Sequence, residues 1–287
     1  MTAMILKELR AYFTQMTGYI FLALMTVFVA LFFAVMIVNT RNPNFQQVLG
    51  STTILFIVII PTLTMRLFAD EVKNKTDQLL FTSPLSIWQI VFGKYLAAAI
   101  LFIIGAAVTM LFPLMISQFG DLPVSQIVGT YIGYILMGLG FIGLGLFISV
   151  MTENQIIAAV ATAGFIFLFF LLDGIAGGMP ADANSSLIFV IIVVVVVSGI
   201  LYHSTRNIIA GLVLTVLGIA GASTMFFIDR LMFDALIPRT FRWFSVFTRF
   251  ESLTRGIMNL ADIIFYITFA LVFIYLTINT IEKRRWR

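Results

Sequence analysis

Residues 127–150, IVGTYIGYILMGLGFIGLGLFISV, form one continuous apolar run that contains no charged side chain. The hydrocarbon core of a bilayer is about 30 Å thick, and a helix crosses it in about 20 apolar residues. Lipid offers no hydrogen-bond partner to an unpaired backbone group, so a segment of this kind crosses as a helix. The run therefore predicts a transmembrane helix.

Seven further segments meet or approach the same length. The eight predicted spans are residues 18–38, 52–69, 92–116, 127–150, 155–173, 187–202, 208–228 and 260–281. The composition agrees, because 61% of the residues are hydrophobic and 10% are charged, whereas a soluble domain carries about 25% charged residues. We expect an all-α, polytopic helical membrane protein with a single transmembrane domain over 1–287. The span at 187–202 is the shortest of the eight, so it meets the length criterion least well.

Several classes of chemistry are missing from the sequence. There is no cysteine and a single histidine, His203, so neither a thiolate nor a histidine-built metal site is expected. No Gly-rich phosphate loop, nucleophile elbow or His-Glu-x-x-His pair is present. We therefore predict a chain that is not an enzyme and that holds no cofactor or metal of its own.

Charged residues are also scarce inside the predicted spans. Arg66 and Lys94 lie near span ends, from which long side chains can reach water. Asp173 and Asp262 lie near span ends too, and we expect them to be solvated. A channel or ion-coupled carrier usually places ionisable groups along its path in mid-membrane, and the sequence shows none there.

The basic residues indicate an orientation. With eight spans and a cytoplasmic N-terminus, both termini lie in the cytoplasm, together with most of the 17 Lys and Arg residues, as expected for cytoplasmic loops. The arginines left on the outer side are Arg41, Arg230, Arg239, Arg242, Arg249 and Arg255.

The N-terminal segment, residues 1–17, has an amphipathic pattern. Apolar residues recur at helical spacing, whereas Lys7, Glu8 and Arg10 lie off that stripe; the apolar residues are Ile5, Leu9, Tyr12 and Phe13. The pattern predicts a helix that lies in the membrane interface. The alternative is a cytosolic extension of the first span.

Residues 66–91 form the longest cytoplasmic stretch. They combine acidic and basic residues with the apolar triplet Leu79-Leu80-Phe81, then Ser83-Pro84, after which a new helix is expected at Leu85. A short helix with one charged and one apolar face is typical of a protein-docking element. The alternative is a solvated loop whose leucines pack on neighbouring helices.

Two further features leave their alternatives open. Residues 229–260 alternate aromatic residues with arginines and acids, which favours an amphipathic segment at the outer headgroups; its role is lipid anchoring, or else an exit gate or partner surface. Gly129, Gly133 and Gly140 share one face of the fourth span, which indicates close helix packing or a dimer seam.

Four blocks of the sequence resemble the permease subunits of type-2 ABC exporters, specifically the gliding-motility and nitrous-oxide-reductase-accessory branch. Three of these blocks are well matched, and a weaker one precedes the last span. The matching residues are Lys7-Glu8-Leu9-Arg10 with Tyr12-Phe13; Asp70-Glu71, Lys73, Thr76, Leu79-Leu80, Ser83-Pro84 and Gly93-Lys94; Thr152-Glu153-Asn154-Gln155; and Arg255-Gly256 with Asp262. Lys75 and Gln78 depart from the family pattern, which usually has glycine and glutamate there.

The resemblance implies a six-span core into which residues 187–228 are inserted as a helical hairpin. It also implies export driven by a separate cytosolic ATP-binding subunit, present in two copies, beside a second permease copy in the bacterial cytoplasmic membrane. ATP and Mg would bind the ATPase, and an accessory extracytoplasmic subunit fits the scheme, whereas nucleic acid does not. The coupling segment would comprise Asp70, Glu71, Lys73, Lys75, Thr76, Asp77, Gln78, Leu79, Leu80 and Phe81, beside the N-terminal helix that carries Lys7, Glu8, Arg10, Tyr12 and Phe13.

Two other functions stay open from the sequence. One is a stand-alone channel or secondary carrier, and the other is a membrane assembly factor that transports nothing.

Overall fold

The computed structural model describes residues 2–39, 44–76, 85–118 and 123–285, and all regular structure in these ranges is helical. In chain order the helices are α1 (Thr2–Thr14), α2 (Thr17–Phe33), α3 (Phe45–Thr52), α4 (Phe56–Thr64), α5 (Ala69–Lys73), α6 (Ile87–Thr109), α7 (Leu111–Ile116), α8 (Val124–Met151), α9 (Gln155–Gly178), α10 (Ala183–Thr205), α11 (Ile208–Ile228), α12 (Leu236–Phe244), α13 (Val246–Thr254) and α14 (Leu260–Arg285). A π-helical turn, Ala34–Val38, extends α2, and 3-10 turns precede α4 and α12.

Eight helical segments in these ranges are long and apolar enough to cross a membrane. They are Thr17–Val38, Phe45–Lys73, Ile87–Ile116, Val124–Met151, Gln155–Gly178, Ala183–His203, Gly211–Ile228 and Leu260–Arg284. The prediction of an all-α polytopic fold is confirmed. The second segment begins at Phe45, earlier than the predicted residue 52, because Phe45, Val48 and Leu49 of α3 are buried although polar residues separate them.

The helical segments are interrupted at positions with a local cause. Met16 adopts a left-handed conformation, with φ 61°, between α1 and α2. The N-terminal helix is thus a separate element and not a straight extension of the first span, which was the alternative prediction. Pro113 cannot donate a backbone hydrogen bond, and its ring opposes the carbonyl four residues earlier. The third span accordingly divides into α6 and α7 at Met110.

The helix after the Ser83-Pro84 step begins two residues later than predicted. Ser86 caps α6 by accepting a hydrogen bond from the backbone of Gln89, whose side chain accepts one from the Ser86 amide in return. This reciprocal capping box satisfies two amides that an uncapped helix would leave unpaired. The helix therefore starts at Ile87 rather than Leu85.

The chain divides into two compact units. The first comprises residues 1–169 and 246–287, and α8 lies at its centre with 72% of its membrane-length window buried. Four buried aromatic rings from α4, α6 and α8 pack together there: Phe56, Phe102, Tyr134 and Phe141. The glycines of α8 allow this dense packing.

The second unit comprises residues 170–245. Its main feature is the antiparallel helix pair α10 and α11, which pack where Gly218 meets Val194. Asp182 caps α10 by accepting a hydrogen bond from the amide of Ser185, and that bond lowers the pKa of the Asp182 carboxyl. The hairpin is longer at its N-terminal end than the predicted 187–228, since α10 begins at Ala183.

Candidate coupling site

The site is built around the turn that separates α4 from α5. α4 ends at Thr64, and four residues of turn precede α5, so the backbone amides at the start of α5 need partners outside their own helix. Ser149 of α8 supplies the partner: its Oγ accepts hydrogen bonds from the amides of Phe68 (3.0 Å) and Ala69 (3.1 Å). Ser149 Oγ also donates to the carbonyl of Met65 at 3.3 Å. One buried hydroxyl thus anchors α5 to α8.

Lys94 of α6 anchors the same turn from another side. Its ammonium nitrogen donates to the carbonyl of Leu67 at 2.7 Å, to Oε1 of Glu71 at 2.8 Å and to Oε1 of Glu8 at 3.0 Å. The Phe68 ring lies 5.0 Å from the same nitrogen. Lys94 therefore joins three helices, α1, α5 and α6, through a single charged group.

Because Lys94 is buried, its charge requires the partners described above. The residue is 1% exposed, and a buried charge costs several kcal/mol unless opposite charges and hydrogen bonds compensate it. The three acceptors match the three protons of the ammonium group. We predicted that Lys94 reaches water by snorkelling; that prediction is wrong, because its side chain is buried and its ammonium group bonds to two carboxylates and a carbonyl.

The N-terminal helix α1 is held in the same place. The hydroxyl of Tyr12 donates to the carbonyl of Leu63 at 2.8 Å, and burial, together with the nearby Glu8 carboxylate, raises the pKa of this phenol. Tyr12 therefore remains a donor. Met4 packs on Gly93 of α6 so closely that an added Cβ would lie 2.9 Å from its Cγ. Both contacts fix α1 against α4 and α6.

A fourth helix reaches α5 through polar side chains. Gln155, the first residue of α9, donates to Oδ1 of Asp70 and accepts from Nε of Arg66 at 3.1 Å. Arg66 and Asp70 also line a cavity of about 170 Å³, which is bordered by Lys94, by Glu71 and by residues of α1. Three helices, α6, α8 and α9, thus form hydrogen bonds to α5, and α1 joins them through Lys94.

A family model described as an ABC-2 family transporter protein matches residues 36–192, which is more than half of the chain. The chain belongs to this ABC-2 transporter family. The searches of curated proteins and of solved structures gave no match.

Family membership defines the general role of the molecule. ABC-2 family chains are membrane permeases of ABC transporters, and they work with an ATP-binding subunit. The matched region contains α5, Ser149, Lys94 and Gln155. The site therefore lies within the part of the chain that the family shares, whereas α1 precedes it.

The structure brings together only part of the predicted ABC-2 coupling segment and N-terminal helix. Glu8 and Glu71 bond to Lys94, and Tyr12 and Asp70 line the same cavity. The other described residues of these two sets are exposed, except that Phe13 is half-buried against Tyr19 with ring centroids 5.3 Å apart; the exposed ones are Lys7, Arg10, Lys73, Lys75 and Thr76. Asp77, Gln78, Leu79, Leu80 and Phe81 lie outside the described residues.

Three residues of this site were not singled out as site residues from the sequence. The sequence did offer a hint for Lys94, because a charged residue inside an apolar span is rare and is usually functional. Gln155 stood in one of the family-like blocks without a role. Ser149 carried no signal, because a serine in an apolar helix usually bonds to its own backbone.

A second ion pair, separate from the Lys94 cluster, lies within the first unit. Asp262 at the start of α14 accepts from Nη1 of Arg249 at 3.1 Å and from the hydroxyl of Ser252 at 2.6 Å. Asp262 is 6% exposed, so the prediction that it is solvated is wrong. Arg249 also stacks on Phe265, 4.1 Å from the ring centroid, which explains one arginine on the predicted outer side.

The predicted glycine face of α8 is occupied by helices of the same chain. A Cβ on Gly129 would lie 2.6 Å from the carbonyl oxygen of Leu253, and one on Gly133 would lie 2.9 Å from the Leu253 side chain. Gly140 faces Phe269 of α14 in the same way. Of the two alternatives, these contacts describe packing within the chain.

Proposed function

We propose that this chain is the membrane half of an ATP-driven exporter and that α5 receives the movement of its ATP-binding subunit. The observation that carries the proposal is the buried Lys94, which bonds α5 to both α1 and α6. A short helix that only filled a loop would not need a desolvated ion cluster to hold it. A helix that transmits force does need rigid attachment to the spans that it moves.

The attachments of α5 define a path for this movement. Ser149 leads to α8, Lys94 leads to α6 and Gln155 leads to α9. Because packed helices shift as bodies rather than deform continuously, a displacement of α5 changes the positions of these spans together. We infer that the path between permease halves opens through this group of helices.

The exposed charges near the site indicate the surface that the partner presents. Lys7, Arg10, Lys73 and Lys75 are exposed and basic, whereas the acidic residues Glu8 and Glu71 are turned inward to Lys94. Complementary charge steers and aligns protein partners. An ATP-binding subunit with an acidic rim around its docking groove fits this surface.

The complete transporter in this proposal contains two copies of this chain and two ATP-binding subunits, which hold ATP and Mg. Its site is the cytoplasmic membrane of a bacterium, with α1 and α5 on the cytoplasmic side and an accessory subunit outside. The support is the resemblance of the blocks around Glu8, Asp70-Glu71, Ser83-Pro84 and Gly93-Lys94 to the gliding-motility and nitrous-oxide-reductase-accessory branch. Residues 187–228 would then be a hairpin inserted into the six-span core.

Co-purification tests this proposal. The full chain, tagged and expressed in its native membrane, is extracted in mild detergent, and the captured proteins are identified by mass spectrometry and assayed for ATP hydrolysis. We expect an ATP-binding subunit in equal amount and vanadate-sensitive hydrolysis. Capture of the chain alone, together with transport of an ion or solute without ATP, would favour the channel or carrier instead. A non-transporting assembly factor would bring down a folding or insertion partner and no ATPase.

A further inference from the structure

The short helix α12 in the second unit has two sharply different faces. Ile237 and Pro238 are buried, and Phe241 packs on Phe189 of α10 with ring centroids 6.2 Å apart. Arg239 and Arg242 are exposed on the opposite face. Residues three and four apart are neighbours on a helix surface, so these two arginines adjoin each other and Trp243, which is 62% exposed.

The position of α12 in its unit is fixed by its backbone. Ala235, the residue that caps the helix, has a φ of 56°, a left-handed conformation that costs an alanine about 1 kcal/mol. Its amide donates to the carbonyl of Ala181 at 2.7 Å. These two features hold the arginine face in one direction, away from α10. The face is a built surface rather than a loose turn.

Exposed apolar side chains precede α12 in the same unit. Phe227, Ile228 and Leu231 are 86%, 84% and 78% exposed, at the end of a membrane-length helix. Side chains of this kind at a helix end contact lipid in a membrane protein. Arg239, Arg242 and Trp243 therefore follow, a short way along the chain, the lipid-facing end of a membrane-length helix.

The charge of α12 is not balanced locally. The helix has two arginines and no acidic residue, and neither Arg239 nor Arg242 has an ion-pair partner among the described residues. Guanidinium groups bind phosphate oxygens through paired hydrogen bonds. Two guanidinium groups beside a tryptophan therefore suit a lipid: the arginines can bind its phosphate, and the indole ring can contact the start of its acyl chains.

We propose that Arg239, Arg242 and Trp243 form a binding surface for anionic phospholipid headgroups. Two arginines that form no ion pair with a described acid select a headgroup of net negative charge, because the cationic group of a zwitterionic lipid would face the same arginines. The proposal does not depend on the transport function. It also gives a role to two arginines on the predicted outer side, where membrane proteins usually carry fewer basic residues.

The test uses Trp243 as the reporter in the full chain. Trp88→Phe and Trp286→Phe leave it as the sole tryptophan, and the protein is reconstituted with brominated phosphatidylglycerol or brominated phosphatidylcholine at equal mole fraction. We expect bromine to quench Trp243 in both lipids, and more strongly in phosphatidylglycerol. Arg239→Gln and Arg242→Gln should each lower the relative affinity for phosphatidylglycerol about fivefold.

Controls separate this surface from general charge and from misfolding. Arg255→Gln removes an exposed arginine that pairs with Glu251 and should leave the lipid preference of Trp243 unchanged. The double variant Arg239→Lys/Arg242→Lys keeps the charge and should retain most of the preference, and a single size-exclusion peak verifies folding.

Three results would overturn the proposal. One is equal quenching of the unsubstituted Trp243 protein by both lipids. Another is the absence of quenching by either lipid, which would place protein over α12. The third is release of bound lipid by soluble glycerol phosphate at moderate concentration, which would indicate a site for a free anion.

Discussion

The ammonium nitrogen of Lys94 lies 2.8 Å from Oε1 of Glu71, although the two residues are 23 positions apart and belong to different helices. The same nitrogen reaches Glu8 on a third helix. This one charge therefore links the N-terminal helix, the short helix α5 and the third membrane-length segment. The link is buried, so neither salt nor water competes with it as at a surface pair.

Replacement of Lys94 by methionine should destabilise the protein strongly. The variant leaves Glu8 and Glu71 facing each other with little solvent, and loss of one partner from a buried ion cluster costs about 3–5 kcal/mol. We expect a clearly lower melting temperature in detergent, measured by size exclusion after heating. Lys283→Met, at an exposed site, should melt like the unsubstituted protein.

A second variant distinguishes charge from packing at this position. Lys94→Met with Glu8→Gln and Glu71→Gln removes all three charges, and an uncharged set of similar volume can be as stable as the ions it replaces. The triple variant should regain much of the lost melting temperature. If it melts as low as Lys94→Met, the electrostatic account of the cluster is wrong.

Ser149→Ala should loosen the start of α5. The change leaves the amides of Phe68 and Ala69 without the acceptor that they share, and a buried unpaired group costs about 1–3 kcal/mol. Hydrogen exchange followed by mass spectrometry should show faster exchange in the peptide that covers Arg66–Lys73. Thr268→Ala, which removes an exposed hydroxyl bonded to its own helix, is the matched control. Unchanged exchange in Ser149→Ala would remove Ser149 from the anchor.

Gly129→Ala should lower stability, whereas Gly164→Ala should not. A methyl group on Gly129 would lie 2.6 Å from the Leu253 carbonyl oxygen, and nothing lies within 4 Å of the same position at Gly164. Backbone cannot move aside as a side chain can, so α8 and α13 must separate. Alanine is the better helix former at Gly164. The yield of monodisperse protein and the melting temperature of the two variants measure the difference, and equal values would contradict the packing described for α8.

Cysteine labelling checks the eight-span topology. The chain has no native cysteine, so Asn207→Cys, between α10 and α11, and Asn259→Cys, between α13 and α14, each provide a single site. In sealed right-side-out vesicles an impermeant maleimide should label Cys at 259 and spare Cys at 207 until the membrane is opened. Labelling at 207 in sealed vesicles would exclude the eight-span arrangement with a cytoplasmic N-terminus.

The spans were predictable from the sequence because hydropathy depends on composition along the chain. The start of the second span was missed, since α3 contains Gln46, Gln47 and Gly50 beside its buried apolar residues, and these three lower the local hydropathy. The break at Pro113 follows from proline geometry. The left-handed turn at Met16 does not, because no glycine or asparagine marks it.

The coupling site was predictable only as separate pieces. The resemblance pointed to Glu8, Glu71 and Lys94 as members of two blocks, but their meeting depends on how three helices pack. Ser149 and the burial of Asp262 depend on packing alone. Polar contacts between residues far apart in the chain produce no repeating sequence pattern. The sequence could therefore indicate the side chains but not their partners.

Site-directed photo-crosslinking from α5 tests the central claim most directly. A photoreactive phenylalanine analogue replaces Lys73, which is exposed on α5, or Arg255, which is exposed between α13 and α14, in cells that express the ATP-binding subunit. We predict a covalent adduct between that subunit and the Lys73 position, with a yield that changes when ATP and vanadate are added, and no adduct at Arg255. An adduct at Arg255 alone, or none with an ATP-binding protein at Lys73, would contradict the assignment of α5 as the coupling helix.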